Sequence, residues 1–445
     1  MRFRWRVLQS FHASKGGNMN KMHIVLAAIL TGIALAAPGE SRAQDRSHTA
    51  NRSANPTPPQ AREAPTGLDN RTNGYLVQGP EYSLLNDDTV EPLRSFNDNR
   101  FIFEETETDE DGLGPVYNAR GCLECHQNGA AGGASQVAEH RSGSNRRGRF
   151  AEAAGGSLIH SRAIHPDLIE QVSPSDNVNT LRVSTSTLGD GYVEAIADET
   201  LLAIRDGQPA EMRGTAIRVP VLETNGVLRL GRFGWKNQHA SLESFAADAY
   251  LNEMGITSPL FPQENTSSGR SVAAYDRVAD PEDDGVDIVA FADFIRATTA
   301  PSRGPVTSAA RFGERVFSDI GCNVCHTPSI TTSSDAPMRD EAYNDPGALT
   351  NRTIHAYSDF LLHDVGTGDG VPTHPGPEYA QTANQIRTAP LWGLRTRNRL
   401  MHDGLSYSAA DAIRRHGGQA ATVRDRYDAL DRDRRSALMA FLASL

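Results

Sequence analysis

Gly121-Cys-Leu-Glu-Cys-His126 and Gly321-Cys-Asn-Val-Cys-His326 are two copies of one six-residue pattern. Two thiols separated by two residues reach the two vinyl groups of one porphyrin as thioethers, and the histidine that follows is held under the iron. Each copy therefore reads as an attachment site for haem c. The chain has four cysteines, and all of them fall in these motifs, which leaves no disulfide framework and no free catalytic thiol. Zinc ribbons and thioredoxin-like sites share the Cys-x-x-Cys spacing. A zinc ribbon, however, sets its two pairs about 15–20 residues apart, whereas these stand two hundred apart. A thioredoxin-like site needs a βαβ context, which neither motif has. Two covalently bound haems c are expected. Cys122, Cys125, Cys322 and Cys325 hold the porphyrins, and His126 and His326 are the proximal iron ligands.

Working outward from the second motif, Ser308 to Ile320 reads as a helix with Phe312, Val316 and Phe317 inward, running into Gly321. Ser408 and Asp411 form a capping box that opens a helix to His416, ended by Gly417-Gly418. Tyr427 to Leu445 repeats Leu430, Leu438, Phe441, Leu442 and Leu445 at helical spacing. In the first half, Thr215 to Leu222 and Val227 to Phe233 flank Asn225-Gly226, a hairpin signal. Ser241 caps a helix carrying Leu242, Phe245, Ala249 and Met254, stopped by Gly255, and Asp287 to Ala297 is another. The expected fold is mainly α with a small β-hairpin element: two cytochrome-c-like helical haem domains, the first enlarged by insertions. The Pro/Gly/Ser-rich break Thr298–Pro305 divides residues 75–300, an N-terminal c-type haem domain with insertions, from residues 301–445, a C-terminal cytochrome-c-like haem domain.

Before these, Lys21 and His23 lead into the apolar run Ile24–Ala37 and then Ser41-Arg42-Ala43, the pattern of a secretory signal over residues 1–43. The run is shorter than the ~20 residues that span a bilayer, so no permanent membrane span is expected. Translation could start at Met1 or Met19. Residues 44–74, rich in Ser, Thr, Asn, Pro, Gln and Arg, read as a disordered leader. The mature protein is then periplasmic or secreted. The whole chain carries 44 basic and 55 acidic residues, a formal net charge of −11. Removing the signal takes this to about −16, because Arg2, Arg4, Arg6, Lys15, Lys21 and Arg42 leave with only Glu40. That balance argues against nucleic acid and anionic membranes as partners and suits a basic redox partner protein.

The sixth ligand at each iron decides the chemistry: His or Met gives an electron-transfer centre, an open face admits a small molecule. For the second haem His416 is the expected distal ligand, with Met401 as the alternative and core packing as the other reading of Met401. His363 and His374 sit in a Gly/Pro/Asp-rich loop and are expected at the surface. In the first half His140, His160, His165 and His239 remain open. No spacing singles one out; His160, after Leu158-Ile159 in an ordered-looking stretch, could face the haem and is the candidate ligand, against the reading that it is neither ligand nor catalyst. Glu194, beside apolar neighbours after a glycine turn, is the candidate catalytic proton carrier, against the reading that it forms a salt bridge. Trp235 and Trp392 could assist electron transfer between the haems or simply pack.

With both motifs placed, the chain resembles the bacterial di-haem oxidoreductase family, also called thiol-oxidoreductase-like and related to the di-haem cytochrome c peroxidases and the methylamine-utilisation di-haem enzyme. The resemblance rests on Gly112–His126, Gly231-Arg-Phe-Gly-Trp-Lys236, Met254-Gly-Ile-Thr-Ser258, Arg387-Thr-Ala-Pro-Leu-Trp-Gly393 and His402-Asp-Gly404, and covers about residues 75–445. It implies that His126 lies under a reactive iron and His326 under a relay iron. In the peroxidase relatives a methionine follows the motif resembling Leu400-Met-His-Asp-Gly404 and ligates the second haem. His416 stands in what resembles its place, implying a bis-histidine centre of lower potential. The thiol chemistry in the family's alternative name would have to act on a substrate. The expected function is an exported di-haem c-type cytochrome oxidoreductase that moves electrons between its haems, with peroxide-dependent or other substrate oxidation at the N-terminal haem. A non-catalytic periplasmic electron-transfer cytochrome is the alternative, and a haem scaffold for a binding partner is a third reading. The length of the first domain favours the enzyme, acting on a small-molecule oxidant or substrate.

Overall fold

The computed structural model describes residues 61–64, 93–334 and 349–445. The expected signal, residues 1–43, lies outside the described residues, as does all of the leader except residues 61–64. There Arg62–Glu63 form a short strand paired in parallel with Arg352–Thr353. The described residues belong to one compact unit, residues 58–445. No helix among them is long and apolar enough to cross a membrane.

Two apolar cores organise the unit. In the first, helix Leu93–Glu104 packs against helix Val286–Ala297, with Phe103 and Phe294 ring centroids 4.8 Å apart and Phe96 5.5 Å from Phe294. Tyr192, Val193 and Ile196 fill the same core, as do Leu242 and Ala247 from the helix Leu242–Ala249. That helix starts where Ser241 accepts a hydrogen bond from the Ser244 amide, continues as a wider turn over Tyr250–Met254, and stops at Gly255, whose φ of 72° suits a residue without a side chain. The second core joins helix Ser308–Ile320, capped by Thr307, to helix Arg432–Leu442. Phe317 meets Phe441 at 5.2 Å and Tyr357 at 6.0 Å. The two helices touch at Gly313, where a Cβ would collide with the Ala437 carbonyl.

The mainly-α expectation is overturned: the structure is 34% helix and 16% strand. The first half holds a four-stranded antiparallel sheet, in which Ala138–Arg146 pairs with Arg149–Glu152 and Leu158–Ile159 along one edge and with Val178–Val183 along the other. The hairpin forms as Arg218–Val221 against Val227–Leu230, with Asn225 and Gly226 both at positive φ. In the second half, short strands Arg352–Ile354, Leu362–His363 and Ile386–Arg387 replace the expected helical run. The physical reason is segment length: between glycines and prolines these apolar stretches are too short to complete helical turns, but long enough to pair in extended form. The expected terminal helix is also broken in two, Ala421–Asp428 and Arg432–Leu442, because the Asp431 carboxylate accepts from the Arg434 amide at 2.8 Å and starts a new helix.

Candidate metal centres

Both cysteine-histidine motifs adopt the same local form, a single tight turn over Cys122–Glu124 and Cys322–Val324. In each, the histidine amide donates back to the first cysteine carbonyl, His126 to Cys122 at 2.9 Å and His326 to Cys322 at 3.0 Å. Both cysteines of a motif are thereby brought to one side, with the histidine following. Burial pushes the Cys122 and Cys322 thiols up to about 12, helped by the neighbouring Cys125 and Cys325, and burial with Glu253 pushes Cys125 up to about 11. Raised thiols of this kind are poorly suited to act as thiolate nucleophiles or zinc ligands at neutral pH.

At the second motif the Nδ1–H of His326 donates to the Tyr357 carbonyl at 2.9 Å. That bond fixes the tautomer and leaves the Nε2 lone pair for a metal. Burial, then the nearby His416, depresses His326 to about 4, so the ring is neutral and able to ligate at pH 7. His416 mirrors it: its Nδ1–H donates to the Ala412 carbonyl at 2.8 Å, burial lowers its pKa, and its Nε2 is also free. Helix Ala409–Arg414, opened by Ser408 accepting from the Asp411 amide, delivers His416 just past its end. His326, His416, Cys322 and Cys325 share the wall of one predominantly apolar cavity of about 1590 Å³, counted with its open mouth. Its thiol pair, two imidazoles and apolar wall fit a haem, which Cys322 and Cys325 would hold through their sulfurs and His326 and His416 would ligate. Met401 lines the same cavity, as does His402, whose buried Nδ1 has no partner. Trp235 also lines it, its indole N–H donating to the Val183 carbonyl at 2.7 Å and its ring lying edge-on to His402 at 6.2 Å. Trp392 packs in the first core.

The loop expected at the surface turns inward. His363 is 1% exposed, its Nε2 at 2.8 Å from Asp359 and its Nδ1 at 3.7 Å from the Cys325 sulfur. Burial works against its charge, yet Asp359 and Cys325 lift it to about 10. His374 is partly buried. The surface expectation missed both because the buried carboxylate that draws His363 inward is four residues upstream in the same glycine-poor stretch, outside the loop composition that suggested exposure.

Around the first motif the picture differs. The His126 ring lies against Phe103 with centroids 6.3 Å apart, and its buried Nδ1 has no acceptor at hydrogen-bond distance, although the Gly133 and Thr185 backbones lie close by. Burial lowers its pKa. His160 does not face this site with a free nitrogen: Nδ1 meets Glu170 at 2.9 Å and Nε2 meets the Asn252 carbonyl at 3.0 Å. Both ring nitrogens are thus engaged by protein oxygens, and neither is left over for iron. His140 lies in the central strand Ala138–Arg146, His165 caps a turn by accepting from the Asp167 amide, and His239 pairs with Asp248 at 3.3 Å. Glu194 is 1% exposed and fully engaged, by Arg296 at 2.7 and 3.0 Å and by the Leu242 amide at 2.7 Å. Burial alone would raise its pKa, but the Arg296 guanidinium outweighs it and holds the carboxylate ionised. This is the salt-bridge geometry.

Sequence reasoning missed a carboxyl pair beside the first motif. Glu253 and Glu139 share a hydrogen bond, and the Glu253 charge acts on the Cys125 thiol. Burial, then Glu139, pushes Glu253 well above the usual range. Glu139 moves the other way, because Arg141 at 2.6 Å outweighs its own burial. The two carboxyls are thus driven in opposite directions, and Glu253 is the one of the pair that takes up a proton more readily. The only sequence signal was its place just before Met254-Gly255, since the two acids are over a hundred residues apart.

No curated protein matches the chain. Among solved structures, similarity extends to a MauG-like protein associated with microbial copper homeostasis (13% identity, 88% of this chain and 94% of that one, TM-score 0.38). It extends also to the dihaem peroxidase BthA of Burkholderia thailandensis (14%, 80% and 87%, TM-score 0.33). A third is a xenon-pressurised hydrazine synthase of Kuenenia stuttgartiensis (16%, 91% and 100%, TM-score 0.36). The family described as "Di-haem oxidoreductase, putative peroxidase" matches residues 160–445, which takes in the second motif and its cavity and begins after the first motif. The chain belongs to this di-haem oxidoreductase family.

Proposed function

We propose that the protein is an exported di-haem c-type cytochrome oxidoreductase whose second motif serves as an electron relay and whose first motif receives peroxide or another small oxidisable molecule. Haem iron supplies one-electron exchange and, where an axial position is open, peroxide chemistry. The observation that carries the reading is the pair His326 and His416: both present an unprotonated Nε2 to one cavity, each tied through Nδ1–H to a backbone carbonyl. Those second bonds hold the rings in place and raise their basicity as ligands. Two imidazoles leave no room for substrate at that centre, so reactivity falls to the first. There, burial and Glu139 raise the pKa of Glu253, the carboxyl whose charge acts on Cys125, which suits it to carry a proton. Peroxide reduction to two waters consumes two protons and two electrons, with the electrons delivered by a redox partner protein and both protons drawn from solvent water, one of them by way of Glu253. The acidic balance of the mature chain favours a basic partner.

The test is an optical spectrum of the purified, oxidised protein with and without hydrogen peroxide. Two haems are expected, one low-spin and indifferent to peroxide, the other changing on its addition. Two low-spin, peroxide-inert haems would instead make the protein an electron-transfer cytochrome without its own substrate.

A further inference from the structure

Two guanidiniums in the wall of the second cavity lack a matching anion. Arg387 is 3% exposed; one Nη donates to the Arg232 carbonyl at 2.9 Å, and its Nε is buried without an acceptor. Arg397, partly buried, donates through Nη2 to the Trp392 carbonyl at 2.8 Å. Both line the cavity together with Cys322, Cys325 and His416. Asp190, 3% exposed, is the carboxylate that acts on both guanidiniums. Even so, burial holds Asp190 up to about 7, so at neutral pH the two cations face less than one full negative charge. Buried cations without a counter-ion are strongly unfavourable, and a wall carrying two of them is built to receive anions.

We propose that Arg387 and Arg397 clamp the propionate carboxylates of the porphyrin seated at Cys322, Cys325 and His326. The inference rests on the haem reading of that motif and goes beyond it, because it assigns the polar end of the pocket. Two propionates against two guanidiniums, with Asp190 carrying a proton, balance the charge. The planar fork of each guanidinium suits a carboxylate better than an ammonium does. The clamp also sets orientation: thioethers fix one edge of the macrocycle and the arginines the acidic edge.

The experiment uses the full haem-loaded chain with Arg397→Gln and Arg397→Lys, reading haem content and the reduction potential of the low-spin centre by spectroelectrochemical titration, without peroxide. Removing a cation beside the propionates favours the oxidised centre. In R397Q the reduced-to-oxidised ratio at a fixed poise should fall about tenfold, equivalent to about 59 mV for a one-electron couple, whereas R397K, which keeps the charge, should stay near the wild type. Loss of haem in R397Q with recovery in R397K would also support the clamp. An R397Q protein with full haem and an unmoved potential overturns it, as does a lysine variant that shifts, or loses haem, as much as the glutamine variant. A wild-type chain with no haem on Cys322 and Cys325 would remove the site reading itself and the clamp with it.

Discussion

The two cysteine-histidine motifs form the same tight turn, entered from an extended Gly121 in one and a left-handed Gly321 in the other, and their surroundings differ in kind. The second sits in a wide apolar cavity, with His326 anchored to the Tyr357 carbonyl and His416 opposite. The first is pressed against the aromatic core at Phe103, its histidine has no anchor on Nδ1, and Glu253, a carboxyl whose pKa is raised by burial and Glu139, acts on its Cys125. One shared six-residue pattern thus stands in two different settings, and in the proposed reading the chemistry is decided by what the rest of the chain brings to the neighbourhood. A rigid, charge-poor pair of imidazoles suits fast one-electron exchange. A titratable carboxyl suits a reaction that consumes protons.

The strongest test of this contrast removes one side of it. Cys322→Ala combined with Cys325→Ala should leave a chain whose mass and haem absorbance correspond to one haem in place of two, and the low-spin, peroxide-inert signal should be the one that disappears. Loss of the peroxide-responsive signal instead would reverse the assignment of roles. Glu253→Gln should cut peroxide turnover by roughly 10²–10⁴-fold, the usual range for a positioned acid, with haem content intact; an unchanged rate would strip Glu253 of its part. Glu194→Gln leaves Arg296 buried and uncompensated, so it should cost about 3–5 kcal/mol in urea unfolding and leave the spectrum alone. The sign with pH follows from the direction of its shift. Glu194 is held below its ordinary value of 4.5, so its contribution is complete above that pH and fades as pH falls through the lower folded value. The wild type should therefore lose stability more steeply on acidification than E194Q. Smallest in effect, His416→Met should keep the second centre low-spin and raise its potential, as expected when thioether replaces imidazole. An unaltered potential would show that His416 is not the ligand.

How much of this was legible in the sequence depends on the range of the interactions. The attachment turns, the helix Ser308–Ile320, the Ser241 and Ser408 caps and the Asn225-Gly226 turn are all written in residues within a few positions of one another, and all are found. The four-stranded sheet was not, because Ala138–Arg146 has no alternation of apolar and polar residues. It is held by polar links such as Ser142 to Asp176 at 2.9 Å and by strands brought from forty residues away. His160 looked available because its partners, Glu170 and the Asn252 carbonyl, leave no mark at short spacing. The Glu139–Glu253 pair and the inward turn of His363 belong to the same class: contacts that exist only once the chain has folded.

The contact at Gly313 reaches further than its size suggests. Because the residue has no side chain, the helices Ser308–Ile320 and Arg432–Leu442 meet backbone to backbone, and Phe441 is driven against Phe317 and Tyr357, the residue whose carbonyl holds His326. A methyl group added there would act as a spacer between the helices. Its displacement would be felt through three aromatic rings at the His326 imidazole. If His326 ligates a haem iron as proposed, the redox midpoint of a Gly313→Ala protein would report on helix spacing.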